Sequence, residues 1–211
     1  TLNMKNLMIV AFLLLASTSL FASNIPGEIN QIESQWANIY YGKSNVEQKV
    51  AFPVLLNKAI KLSLSHPDAA EPIIWQAIIF ATNAAYQSPF TALDSINKAK
   101  ELLELAISMD PNALDGAAFV TLGTLYHLTP SWPISFGNQD KAEMMLKKGL
   151  KINPNSIDAN YFYADYLLSK NKVNEATKYF KLALQSSTRS NQQFADTQLK
   201  KEAQIALKHT E

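Results

Sequence analysis

The side chains best suited to proton transfer near neutral pH are His66, His127 and His209, and they lie far apart in the sequence without catalytic neighbours. The chain contains no cysteine. That excludes thiolate metal sites, a cysteine nucleophile, disulfides and a lipidated N-terminal cysteine. No glycine-rich phosphate loop and no Gly-x-Ser-x-Gly nucleophile motif occurs. Three acids recur in register, Glu71, Asp115 and Asp158, each four residues after a proline. Each is expected at a helix start, where a carboxylate meets the free N–H groups and the positive end of the helix dipole. These residues predict no enzyme, no metal and no cofactor.

The remaining chemistry is aromatic. Leu128-Thr129-Pro130-Ser131-Trp132-Pro133-Ile134-Ser135-Phe136-Gly137 follows Tyr126 and joins rigid prolines to large apolar side chains. Tyr86, Pro89 and Phe90 sit in a comparable insertion earlier in the chain. Two readings of these loops stay open: a cover folded over helix ends, or stiff aromatics displayed to a partner. A second cluster, Tyr161-Phe162-Tyr163 with Tyr166, falls on one helix. Phe162 aligns with Trp75 and Phe119 and is expected in the core. Tyr161, Asp165 and Leu168 share the next face with Ala118, Leu122 and Leu125, and with Ile74, Ile78 and Ala81. That face is either a ligand groove or is filled by the protein's own N-terminal helices. The candidate binding residues are therefore Tyr126, Trp132, Phe136, Tyr161, Asp165 and Phe90.

The elements that must position these residues are helices. Apolar residues recur at a period near 3.6, as in Ala99, Leu102, Leu103, Ala106 and Ile107, or Ala176, Phe180, Ala183 and Leu184. Alternation at period 2 is nearly absent. The prolines fall mostly between stripes, and Pro53 is expected to start or kink its helix. The pattern predicts an all-α chain of about nine helices arranged as antiparallel hairpins.

The stripes repeat. His66-Pro67-Asp68-Ala69-Ala70-Glu71, Asp110-Pro111-Asn112-Ala113-Leu114-Asp115 and Asn153-Pro154-Asn155-Ser156-Ile157-Asp158 align. Trp75, Phe119 and Phe162 follow at a common spacing, and so do the small or short residues Ala77, Thr121 and Ala164. Ala142, Leu146, Gly149 and Leu150 map onto Ala176, Phe180, Ala183 and Leu184. A two-helix unit cannot hide its apolar face alone, so stacked units share one core. The small residues let paired helices approach.

This pattern resembles the tetratricopeptide repeat (TPR), which implies a TPR-like α-solenoid and a role in binding proteins. Its usual small residue at the tight turn is replaced by Asn171, which tolerates the left-handed conformation. The phrase formed by Pro130, Trp132, Pro133, Phe136 and Gly137, set between two such helices, is similar to small exported bacterial proteins related to the T component of TRAP transporters. That likeness implies an accessory that partners a solute-binding subunit, although a lipid-anchoring cysteine is missing.

Apolar residues make up 47% of 211 and charged residues 18%, as in a folded globular chain. Lys+Arg 19 against Asp+Glu 18 leaves no field to recruit nucleic acid. Lys5, the apolar run Leu7 to Ala16 and Ala22 have the form of a signal peptide. The sequence thus divides into a signal peptide at 1–22, N-terminal helices forming a degenerate repeat at 23–66, TPR-like repeats at 67–188 and a capping helix at 189–211. The protein is expected to be exported, to the periplasm or outside the cell, with membrane attachment only if residues 1–22 are retained. Its expected partner is a protein or peptide; the alternative is a periplasmic carrier of an apolar small molecule. The basic excess after Lys170 is read as a solvated face of the last helix.

Overall fold

The structure, a computed structural model, describes residues 24–210. The signal peptide expected at 1–22 lies outside the described residues. Among the described residues nine α-helices follow one another: α1 (Ile25–Gly42), α2 (Asn45–Ser65), α3 (Glu71–Ala84), α4 (Pro89–Met109), α5 (Ala117–Leu128), α6 (Gln139–Ile152), α7 (Ile157–Ser169), α8 (Val173–Gln185) and α9 (Gln193–Lys208). A short 3-10 turn, Ala113–Gly116, precedes α5. Among the described residues there is no strand; Ser131 and Gly137 form one isolated bridge. The fold is an all-α, TPR-like solenoid of antiparallel hairpins.

Local chemistry sets the helix ends. The Asn24 side chain accepts from the Gly27 N–H at 3.2 Å and caps α1. Glu47 accepts from the Ser44 N–H at 2.9 Å and starts α2. Ser156 and Asn138 cap α7 and α6 through their side-chain oxygens. Asn171, at φ 59, makes the turn between α7 and α8, as the repeat alignment requires.

Two expectations are corrected and one is narrowed. Pro53 does not start a helix: α2 runs through it. The proline lies on the exposed side, while Phe52 and Leu55 bury the opposite face and hold the helix together. Asp115 does not begin a helix. Leu114, Asp115 and Gly116 all have positive φ, and α5 starts after them. Gly116 is required there, because a Cβ would also press on Ile152 at about 3.0 Å. Pro89 and Phe90 are not in a loop. Ser88 caps α4, and the extra residues of this unit lengthen the helix.

Packing follows the repeat. α3 pairs with α4, α5 with α6 and α7 with α8. Ala142, Ala176 and Ala183 are fully buried between helices. Gly123 and Gly149 lie against Leu146 and Val120 in the α5–α6 pair. One apolar cluster spans α3 to α9. A second joins Ile29, Ile32 and Ile39 of α1 to Phe52, Leu55 and Leu62 of α2, and to Trp75 and Ile79 of α3.

The odd-numbered helices form an inner layer. α1 touches α3, α3 touches α5, α5 touches α7, α7 touches α9, and α9 returns to α1. The inner layer is thus a closed ring of five helices, with α2, α4, α6 and α8 outside it.

Candidate functional site

The segment between α5 and α6 is a built loop. The Thr129 N–H donates to Leu125 O at 3.0 Å and closes α5. The Gly137 N–H donates to Pro130 O at 2.9 Å, and Ile134 N–H donates to Ser131 O at 3.1 Å. The Asn138 N–H returns to Tyr126 O at 2.9 Å. Gly137 is obligatory, because a Cβ would overlap the Thr129 carbonyl and lie 2.8 Å from Pro130 C. The Trp132–Pro133 peptide is cis.

The loop splits its apolar side chains between two sides. Phe136 turns inward and meets Tyr126 edge-on, with ring centroids 5.5 Å apart. The Lys100 ammonium of α4 lies 5.8 Å from the Phe136 ring centroid. Tyr126 is buried, at 4% exposure, so it supports the loop and presents no surface. Burial also raises its hydroxyl pKa. Trp132 and Ile134 face solvent at 86% and 67% exposure. Phe90 is 84% exposed on the first turn of α4, at the end of the stack where α5 stops and α6 starts.

Behind the loop, the Gln139 amide donates to His127 O at 3.0 Å, and its carbonyl oxygen lies 3.0 Å from His127 Nδ1. The His127 ring meets Tyr166 edge-on. This ties the loop's exit to α5 and α7.

The face carrying Tyr161 and Asp165 is largely covered. Ile74, Ala118, Leu122 and Leu125 are buried in the ring. Tyr161 is half-buried, meeting Phe162 and Phe180 edge-on at 5.2 and 5.7 Å. Burial, followed by the nearby Glu202 carboxylate, raises its hydroxyl pKa. Asp165 and Glu202 are half-buried carboxyls. Burial lifts both pKa values, opposed by His127 at Asp165 and by the Tyr161 hydroxyl at Glu202. Tyr161 and Asp165 therefore belong to the ring, on α7, while Trp132, Phe136 and Phe90 belong to the loop end. Phe162 is half-buried beside Tyr161.

Sequence reading missed a charged cluster. Arg189, in the α8–α9 connection, is the only arginine of the chain. Its side chain donates to both Asp196 oxygens, from Nη2 at 2.7 Å and from Nε at 3.2 Å. Nη2 also lies 2.7 Å from Glu33 Oε1 of α1. Asp158, on the first turn of α7, interacts with the same guanidinium. The basic C-terminal region is thus not wholly a solvated face. Lys200 likewise turns back and donates to Ser186 O at the end of α8. The available signal was the single Arg among eighteen lysines, a choice that favours bidentate carboxylate binding.

Among the described residues, no group of three or more His, Cys, Asp or Glu is placed to hold a metal ion. No helix among them is long and apolar enough to cross a membrane.

No protein-family model matches the chain, and no curated protein matches it. Solved structures match it only distantly. A yeast Tom70 crystal structure is 21% identical over 88% of this chain, with TM-score 0.47. The match covers 34% of the Tom70 chain, so this protein spans about a third of its length. Pseudomonas aeruginosa PilF is 20% identical over 87% of this chain and 92% of its own, with TM-score 0.35. At these values the fold assignment rests on the chain's own helices and their packing.

Proposed function

We propose that the protein is an exported, non-catalytic interaction module that binds a protein or peptide partner through the 129–138 loop. One observation carries this reading: Trp132 is 86% exposed on a loop whose other aromatic ring is anchored inside. A solvent-facing indole on a pinned backbone gives up little conformational freedom on binding. Such aromatics dominate interface energies. Export rests on Lys5, the Leu7 to Ala16 run and Ala22.

A photo-crosslinking side chain at position 132, in protein exported by its own cell, tests the loop. A discrete adduct is expected at 132 and none at Lys178, an exposed position on α8. Equal labelling from both positions, or none from 132, refutes the loop. With the partner in hand, Trp132→Ala should weaken binding by about 2 kcal/mol or more. N-terminal sequencing of exported protein should begin near Ser23, and Met4 at the N-terminus of membrane-bound protein overturns the cleavage.

A second reading, a periplasmic carrier resembling the TRAP T component, is favoured by the Pro130 to Gly137 phrase and by the half-buried Asp165 and Glu202 carboxyls of the ring. Native mass spectrometry distinguishes it: a retained small molecule supports the carrier, and a protein adduct supports the module.

A further inference from the structure

The inner ring closes where α9 meets α1, and that seam is polar. Asn191 donates to Asn30 Oδ1 at 2.8 Å, and Gln192 donates to Asn30 O at 3.0 Å. Ser34 donates to Gln192 Oε1 at 3.2 Å. These contacts are neutral and indifferent to pH. The charged part is Arg189 with Glu33 at 2.7 Å and Asp196 at 2.7 Å, and with Asp158 facing them from α7. One guanidinium therefore pairs with two carboxyl groups and lies within electrostatic reach of a third. Asp196 takes its bidentate edge, Glu33 shares Nη2, and Asp158 makes no direct ion pair with it.

We propose that this seam is a proton-controlled closure, in which uptake of a proton by Glu33 or Asp158 fastens the first helix to the last, and its loss loosens them. The charge count supplies the reason. With all three carboxyls ionised, the seam carries two more negative than positive charges, held in a half-buried site. One proton removes part of that repulsion and leaves a neutral carboxyl that still accepts from Arg189. Burial, the largest influence on both Glu33 and Asp158, holds them above the ordinary carboxylate range, against the pull of Arg189. The charged and titratable groups facing Glu33 are Arg189, Asp158 and Asp196, and those facing Asp158 are Arg189, Asp196 and, from α1, Glu33 and Tyr41. In an open ring Glu33 returns to water and to its ordinary affinity for protons. The closed ring thus binds protons more tightly than the open one, and acid favours closure. Opening would uncover the inner face that carries Tyr41, Tyr161 and Glu202. This inference concerns the ring alone and does not depend on the loop at 129–138.

The cysteine-free chain allows a direct test. Asn38 of α1 and Thr197 of α9 are exposed, and both can be changed to Cys and spin-labelled. Electron–electron distances are then read at about pH 5 and about pH 8. One short distance is expected in acid, with a longer-distance population that grows several-fold at the higher pH. Glu33→Gln keeps an acceptor for Arg189 without a titrating charge, and should give the short distance at both values. Asp158→Asn, expected to reduce the response, serves if Glu33→Gln does not fold by circular dichroism. Identical distance distributions at both pH values overturn the closure. So does an undiminished pH response in the substituted proteins.

Discussion

Gly149 and Val120 meet so closely that a methyl group on Gly149 would lie 2.5 Å from Val120 Cγ2. Gly123 meets Leu146 the same way from the opposite helix, at 2.8 Å. The α5–α6 pair is therefore interlocked by one small and one large residue on each side. Alanine at 149 would gain about 1 kcal/mol of helix propensity. Valine is stiff about χ1, so the overlap forces a backbone shift that costs about 1–3 kcal/mol. Gly149→Ala should lower stability on balance, and should be rescued in part by Val120→Ala. Denaturant unfolding of the four proteins of the cycle should give a favourable coupling of about 1 kcal/mol, and additivity would refute the contact.

Ala176 and Lys178 are two residues apart on α8 and differ wholly in surroundings. Ala176 is fully buried, while Lys178 is exposed with its ammonium 5.8 Å from the Tyr179 ring. Ala176→Leu should overpack the hairpin and cost about 1–3 kcal/mol. Lys178→Leu should change stability by less than about 0.5 kcal/mol. Equal effects in urea unfolding would contradict the hairpin packing.

The loop makes opposite demands on its two aromatics. Trp132→Ala should leave the melting temperature nearly unchanged, because the indole covers nothing. Phe136→Ala removes the ring that rests on Tyr126 and approaches Lys100. It should destabilise by about 1–2 kcal/mol, below the range for a fully buried Phe because Phe136 is only half-buried. A large drop in melting temperature for Trp132→Ala would restore the role of a lid.

Gln48 ties three elements together. Its buried amide donates to Tyr40 O at 3.0 Å and Lys43 O at 2.7 Å, closing α1, and its oxygen accepts from the Tyr86 hydroxyl. Gln48→Leu leaves those carbonyls and that hydroxyl without a partner and should cost about 1–3 kcal/mol. Tyr86→Phe should cost less, since only one bond is lost. Thermal melts of both variants check the order.

Glu33, Asp158, Asp165 and Glu202 all have pKa values raised by burial. A raised folded-state pKa means that folding favours the protonated form. Its stabilising contribution is complete below the unfolded value, 4.5 for Glu and 3.8 for Asp, and is lost as pH rises through the folded value. Glu47 and Glu143 are shifted the other way by hydrogen bonds to Ser44 and Lys147, and lose their contribution only in stronger acid. The melting temperature should therefore hold or rise as pH falls from about 7.5 to about 5. A steady fall over that interval would contradict the buried-acid picture.

The helices, their hairpin pairing and their small buried positions were legible in the sequence. They depend on neighbours three, four or about thirty-four residues away, and Ala142, Ala176, Ala183 and Asn171 sit where the periodicity puts them. Local rules failed where tertiary packing outweighed them. At Pro53 the packing of Phe52 and Leu55 carries the helix through a residue that lacks a donor. At Asp115 the chain takes a left-handed turn in place of a helix start. The exposure of Trp132 and the burial of Tyr126 were undecidable from their types, since either ring gains by burial and only the fixed path of the loop assigns the inside. Ring closure was the least legible feature. Glu33 and Arg189 are separated by most of the chain, and nothing periodic links them. The sequence by itself determined what each helix hides, because amphipathic spacing is a local property. Only the tertiary structure decided that the first and last helices meet, because a small rotation per hairpin accumulates along the stack and sets where its ends lie.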